Sequence, residues 1–147
     1  MQGISKALLS KQYIDSLVDS PSHEALVTVA GYIWAAAPER DLPTYGLELP
    51  LFVFCEALTW FSQSIRSGVW TYYEATPTRR QEAMKASLAI VQAGPIIERY
   101  AFGMIYWRDF EAMTELDQWL GETDDQNTSW LAELLNSHRD LLKQLLC

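Results

Sequence analysis

The chain has little glycine and cysteine and no long apolar run, and each shortage excludes a class of protein. Seven glycines are scattered among 147 residues, so no glycine-rich loop is available to surround a phosphate group. Two cysteines, Cys55 and Cys147, cannot form a disulfide framework. The longest uncharged run, Ala25–Pro38, has 14 residues, whereas a membrane-spanning helix needs about 20. Because Met1–Leu17 also lacks the features of a signal peptide, we expect a cytoplasmic protein.

Recognisable catalytic and metal-binding patterns are also missing. His23 and Glu24 are not followed by a second histidine at the zinc-protease spacing. The other histidine, His138, falls within a leucine-rich stripe, where a packed histidine is more common than a ligand. No serine has the glycine-flanked surroundings of a nucleophile elbow. We therefore predict no metal, no cofactor and no catalytic residue.

Basic residues are absent from one stretch of the chain, which we call the acidic segment, Asp109–Asp125. The chain has a net charge of −8, and outside this segment its acids and bases almost balance, at 12 and 11. An acidic protein is a poor ligand for nucleic acid, which needs a basic surface. The segment contains seven carboxylates, which we take as candidate partner-binding residues: Asp109, Glu111, Glu115, Asp117, Glu122, Asp124 and Asp125.

The acidic segment has two interpretations. It can be a solvated helix face, followed by acids that favour the N-terminus of the next helix. It can also be a docking surface on which spaced carboxylates attract a basic protein, an attraction that weakens with salt. The segment lacks the glycine and the terminal glutamate of a calcium-binding loop. Both interpretations place Phe110, Met113 and Leu116 towards the core and the glutamates towards solvent.

Apolar residues recur at helical spacing throughout the chain, and strand alternation is missing. We predict an all-α single domain over residues 1–147, with about seven helices around a central apolar helix, Leu51–Arg66. Pro38–Pro50 is predicted to be the longest loop. Around the central helix we predict a short aromatic segment, Val69–Ala75, and further helices at Ser5–Val18, Pro21–Ala37, Thr78–Val91, Ile96–Trp107, Phe110–Leu120 and Asn127–Leu145.

Local capping signals support these boundaries. Ser20 before Pro21 is typical of a helix start. Thr78 and Gln81 have the spacing of a capping box, in which each side chain caps the other's backbone N–H group. Asn127 or Thr128 is expected to cap the last helix. A leucine stripe, Leu131–Leu146, runs along this helix. Burial within one chain is a sufficient explanation of the stripe, and its breadth also fits a homodimer interface.

A second candidate site is aromatic. Val69–Ala75 is rich in aromatic side chains, and packing in the core with hydroxyl groups at its edge explains most of them. The alternative is a small-molecule pocket or an active site. Its candidate residues are Glu56, Trp70, Tyr72, Tyr73 and Glu74.

Glu56 lies in the most apolar helix, where a carboxylate must be paired, hydrogen-bonded or protonated. A structural ion pair with Arg66 or Arg99 is the interpretation we favour. An unpaired Glu56 facing a cavity together with Glu74 would instead favour the pocket.

The stretch Arg66–Glu74 resembles part of a family of small bacterial all-helical domains that includes a DNA-mimic protein. In that family an Asn-Gly-Gly step precedes an aromatic pair, and here Arg66 and Ser67 stand in place of the Asn and the first Gly. The resemblance continues through Glu82–Ala83, Leu88–Gly94 and Glu115–Trp119, and covers about Phe52–Arg139. It implies an all-helical fold and self-association, and in at least one member of that family an acidic surface occupies the DNA site of a DNA-binding protein.

These observations favour a non-enzymatic interaction protein whose acidic segment binds a basic protein partner, with DNA-binding proteins as one class of partner. The alternatives are a small-molecule-binding domain or enzyme that uses the aromatic pocket, and an immunity-type module that binds a toxin through the same acidic segment. We predict no direct contact with nucleic acid or membrane.

Overall fold

The computed structural model describes residues 8–147, and this part of the chain is entirely helical, without strands. The all-α prediction is confirmed, and the count of nine helices within residues 8–147 is slightly higher than the seven expected. The helices are α1 Lys11–Asp19, α2 His23–Ala36, α3 Leu49–Ser67, α4 Trp70–Ala75, α5 Thr78–Ile90, α6 Pro95–Tyr106, α7 Phe110–Glu122, α8 Asp124–Ser137 and α9 Arg139–Leu146.

The central helix is α3, as the sequence predicts. Every residue from Leu51 to Leu58 is buried, and α3 packs against α2, α4, α5, α7 and α8. A helix that is apolar on all sides is stable in water only when other helices cover it, and these five supply the cover. The buried residues form one continuous core, which gives a single domain.

Serine side chains cap the first two helices of the described chain. Ser10 caps α1, because its Oγ accepts a hydrogen bond from the Tyr13 backbone N–H at 3.1 Å. Ser22, and not Ser20, caps α2 in the same way, with the N–H of Ala25 as donor at 3.1 Å. The predicted start at Ser5 lies outside the described residues.

Two other capping predictions are wrong. Thr78 and Gln81 do not cap each other; the Gln81 side chain is buried and its Nε2 donates to the carbonyls of Tyr73 at 3.0 Å and Thr76 at 2.9 Å. Gln81 therefore satisfies the C-terminal carbonyls of α4, which would otherwise lack partners. Asn127 does not start a helix either; it is buried inside α8, and its Nδ2 donates to the Thr123 Oγ1 at 2.9 Å.

The C-terminal leucine stripe is divided between two helices. His138, with a non-helical φ of −124°, separates α8 from α9. This break accounts for one of the additional helices. The bend lets both helices turn their leucines inward: Leu131, Leu134 and Leu135 of α8 and Leu142 and Leu146 of α9 are buried.

Helix α6 approaches α4 closely because of a glycine. A Cβ atom added at Gly103 would lie 2.2 Å from the phenol oxygen of Tyr73, a separation that non-bonded atoms do not adopt. The Tyr73 hydroxyl lies in this contact and donates to the carbonyl of Tyr100 at 2.9 Å. Gly103 thereby sets the position of α6, and with it the turn that leads into the acidic segment.

Candidate functional site

The acidic segment forms α7 and the first turn of α8. Glu111, Glu115 and Glu122 follow one another at spacings of four and seven residues, so they share one side of α7 along about 16 Å of helix. All three are exposed, as are Asp124 and Asp125 at the start of α8. We call these five exposed carboxylates the acidic face.

The other two carboxylates of the segment have internal roles. The Oδ1 of Asp109 accepts from the backbone N–H groups of Glu111 at 2.9 Å and Ala112 at 3.2 Å, so Asp109 is the N-cap of α7. Asp117 is half-buried and accepts from the Ser64 Oγ at 2.6 Å and the Val69 N–H at 2.9 Å. Asp117 thus fastens α7 to the junction of α3 and α4, and its carboxylate is not free to bind a partner.

The chain's own bases neutralise little of the acidic face. Within residues 8–147 a single ion pair involves it, between the Arg99 Nη1 and the Glu115 Oε2 at 3.3 Å. Arg99 also lies over the ring of Trp119, with its Cζ 5.2 Å from the ring centroid. Glu122 accepts a hydrogen bond from the neutral Gln118 amide at 3.1 Å. Most of the negative charge of the acidic face therefore points into solvent without a cation.

The prediction that Phe110 anchors α7 in the core is wrong. Met113, Leu116 and Leu120 are buried as expected, but Phe110 is 84% exposed. Side chains of a helix lean towards its N-terminus, and Phe110 is the first residue of α7, so its ring projects past the end of the helix. Ile105 at 73% and Tyr106 at 47% exposure end α6, a few residues before Phe110 in the chain. We call Ile105, Tyr106 and Phe110 the apolar corner.

A groove runs beside the apolar corner, between α6 and α7. It has a volume of about 280 Å³ and is lined by Phe102, Tyr106, Asp109, Glu111, Ala112 and Glu115. The Phe102 and Tyr106 rings form one wall, with their centroids 5.0 Å apart. Carboxylates and aromatic rings thus face the same space.

Glu56, the buried carboxylate of α3, is bound by tyrosines and not by an arginine, so the predicted ion pair with Arg66 or Arg99 is wrong. Tyr45 donates to its Oε1 at 2.7 Å and Tyr72 donates to its Oε2 at 2.5 Å. The Tyr72 hydroxyl has only one proton, which goes to Glu56, so the Tyr100 hydroxyl is the donor in the 2.7 Å bond between these two tyrosines.

Both tyrosine donors stay protonated near neutral pH. Burial raises the pKa of Tyr45 and of Tyr72, and the negative charge of Glu56 raises each pKa further. Tyr45 adopts an uncommon positive φ of 58°. The bond to Glu56 and the Arg80 guanidinium, 4.2 Å from the Tyr45 ring centroid, hold it in that conformation. The cluster fixes the loop between α2 and α3 to the core.

The five residues proposed for an aromatic pocket are placed in two environments. Glu56, Tyr72 and Tyr73 lie in the core, where Tyr73 also accepts from the Trp60 indole N–H at 2.9 Å. Trp70 and Glu74 are exposed on α4. Tyr45 and Tyr100 complete the buried cluster. Sequence reasoning missed Tyr45 because it lies in the stretch predicted to be a loop, and missed Tyr100 because it lies on a different helix, α6.

Among residues 8–147 no three or more His, Cys, Asp or Glu side chains come together in a way that could hold a metal ion. Over the same residues no helix combines the length and apolarity that crossing a membrane requires. Cys55, which is buried, and Cys147 are both free thiols.

The leucine stripe faces the core of the domain, whereas the acidic face points into solvent. Comparison of the chain with models of protein families, with curated proteins and with solved structures gives no match.

Proposed function

We propose that this protein is a non-enzymatic interaction protein whose acidic face binds a basic protein partner. The observation that carries the proposal is the exposure of five carboxylates on α7 and α8, of which one, Glu115, forms an ion pair within residues 8–147. Like charges on one side of a helix repel one another and weaken the helix. A basic partner would relieve this repulsion and gain attraction from every carboxylate that it approaches.

The partner class that we would test first is a DNA-binding protein. Such proteins present lysine and arginine side chains spaced to meet phosphate groups, and a row of carboxylates offers them comparable charges. The resemblance of Phe52–Arg139 to the family with a DNA-mimic member points the same way. A toxin bound by an immunity-type module would use the same acidic face, and competition with DNA separates the two partners.

The test compares two variants with the same net charge. The acidic-face variant carries Glu111→Gln, Glu115→Gln, Glu122→Gln and Asp125→Asn. The control variant carries Glu39→Gln, Glu48→Gln, Glu74→Gln and Glu82→Gln, which neutralise exposed carboxylates elsewhere.

Each protein is used to capture partners from a cell extract at low and at high salt. We expect the wild type and the control variant to retain the same basic proteins at low salt and to release them at high salt. Four lost charge contacts should weaken binding by the acidic-face variant by about tenfold or more. Equal affinity and equal salt dependence in the two variants would contradict the proposal.

A purified partner then allows the competition experiment. Short duplex DNA should displace a DNA-binding partner from the protein, because both would occupy the same basic surface. A partner that duplex DNA leaves in place favours the immunity-type module instead.

A further inference from the structure

The apolar corner is the largest departure of the surface from what the sequence predicts. Phe110 is 84% exposed, although phenylalanine is among the residues that are most often buried. Ile105 and Tyr106, at the end of α6, also expose large parts of their side chains. Large apolar side chains exposed in one short stretch of chain that also carries carboxylates are a candidate binding surface.

A second copy of the chain does not suit this corner. In a symmetric dimer the same surface of both copies meets, so Glu111 and Glu115 of one copy would approach the same residues of the other. The net charge of −8 on each chain adds to this repulsion. The occupant should therefore be a partner of the opposite charge.

The groove does not have the form of a typical cofactor site. Its volume is about 280 Å³, near the lower end of small-molecule sites, and such sites enclose most of their ligand. This groove lies open at the surface and suits one protein side chain.

The lining of the groove selects the kind of side chain. The Phe102 and Tyr106 rings offer aromatic faces, and Glu111 lies opposite without an ion pair among the described residues. A guanidinium group stacks on an aromatic ring and also donates paired hydrogen bonds to a carboxylate. A lysine ammonium group is more strongly hydrated and lacks the flat surface for stacking.

Arg108, the one base in the turn, does not fill the groove. Its Cζ lies 4.4 Å from the centroid of the Trp107 ring, and Arg108 is not among the residues that line the groove. Arg99 pairs with Glu115 on the side that faces Trp119. A cation from another molecule can therefore enter next to Glu111.

We infer that the groove between α6 and α7 binds an arginine side chain of the basic partner, while Ile105 and Phe110 contact apolar side chains next to that arginine. This inference rests on the proposed function and adds a specificity for arginine over lysine. The acidic face supplies attraction to either base, and the aromatic wall supplies the preference.

The experiment measures binding of two probe peptides, nine arginines and nine lysines, to the full-length protein by calorimetry. Wild-type protein should bind the arginine peptide about two- to fivefold more tightly than the lysine peptide, as expected for stacking at an exposed site. The Tyr106→Leu variant keeps an apolar side chain but removes the more exposed of the two rings, and it should bind the two peptides with a clearly smaller difference in affinity than wild type. Tyr13→Leu removes a partly exposed ring from α1 and should keep the preference.

The two hypotheses fail in different ways. The proposed function fails if the acidic-face variant and its control variant bind both peptides as tightly as wild type does. The arginine groove alone fails if the acidic-face variant binds both peptides weakly while Tyr106→Leu keeps the wild-type preference. An absence of preference in wild-type protein would also overturn the groove. Phe110, like Tyr106, is exposed, so Phe110→Ser gives a second variant. It should reduce the affinity for an arginine peptide that contains leucines more than the affinity for the plain arginine peptide.

Discussion

Carboxylates have different roles in two regions of this molecule, helix α1 and the acidic face. On α1, Asp15 accepts from the Arg139 Nη1 and the Lys143 Nζ, both at 2.8 Å, and Asp19 accepts from the Arg139 Nη2 at 2.7 Å. These contacts fasten the C-terminal helix α9 to α1. On the acidic face, among the residues that the structure describes, one of the five carboxylates, Glu115, pairs with an arginine, Arg99.

The difference shows why charge composition does not identify a binding surface. Arg139 and Lys143 lie more than a hundred residues from their partners in the chain, so their contact with Asp15 exists only after folding. Within the acidic segment, Asp117 has an internal role whereas Glu111 faces solvent. Only the packing of the helices separates carboxylates that hold the fold together from those that remain available.

The largest expected effect concerns a third carboxylate, Glu56, which lies in the core and is held by tyrosine hydroxyl groups. Glu56→Leu leaves the Tyr45 and Tyr72 hydroxyls without their acceptor in the core. We expect the free energy of unfolding to fall by roughly 2–4 kcal/mol, because each unsatisfied buried donor costs about 1–3 kcal/mol. Urea denaturation measures this change.

Glu122→Gln is the matched control, because Glu122 is exposed on α7. It should change the free energy of unfolding by no more than about 0.5 kcal/mol. Equal losses in the two variants would show that the buried cluster contributes no more to stability than the surface does.

A smaller effect is expected at the close contact that positions α6 and its groove. Gly103→Ala forces the Tyr73 ring away from α6 and should lower the free energy of unfolding by about 1–3 kcal/mol. The control is Gly31→Ala in α2, where an added Cβ meets nothing within 4 Å. Alanine favours a helix over glycine by up to about 1 kcal/mol, so this variant should be more stable than wild type. Thermal melting shows whether each variant is less or more stable than wild type. A Gly103→Ala protein more stable than wild type would contradict the close contact between Gly103 and Tyr73.

The smallest effect concerns the contact between α1 and α9. Lys143 and Arg139 lower the pKa of Asp15 below its ordinary value of 3.8. A carboxylate whose pKa is lowered by folding stabilises the fold above its unfolded pKa, and this contribution disappears as pH falls through the lower, folded value. Asp15→Asn should therefore lower the melting temperature at pH 7 and have progressively less effect below pH 3.8.

Glu122→Gln again serves as control, since Glu122 has no base within ion-pair distance in the described chain. It should change the melting temperature little at either pH. If both variants melt alike at pH 7, the contact between α1 and α9 does not stabilise the fold.

Local periodicity was sufficient to predict most of the fold. The all-α class, the central position of α3 and the approximate positions of the helices follow from apolar spacing and from breaks such as Gly94–Pro95. The errors occurred where a polar side chain bonds a group other than the expected one: Gln81 satisfies the end of the preceding helix, and Asn127 lies inside α8 and donates to the Thr123 hydroxyl.

The candidate site was predictable only in part. The acidic segment was visible in the sequence because bases are absent from it, and its glutamates are exposed. The internal role of Asp117 was not visible, since its donors Ser64 and Val69 lie 53 and 48 residues away. The exposure of Phe110 was missed because apolar spacing does not show that the first residue of a helix directs its side chain past the helix end.

The sequence alone determined that this chain folds into helices around one apolar helix and concentrates its excess negative charge in one segment, because both properties depend on residues close together in the chain. The tertiary structure decided which carboxylates are free, which tyrosines bind Glu56 and where an aromatic groove meets the acids. Those outcomes depend on contacts between residues far apart in the chain, which only the packing of the helices brings together.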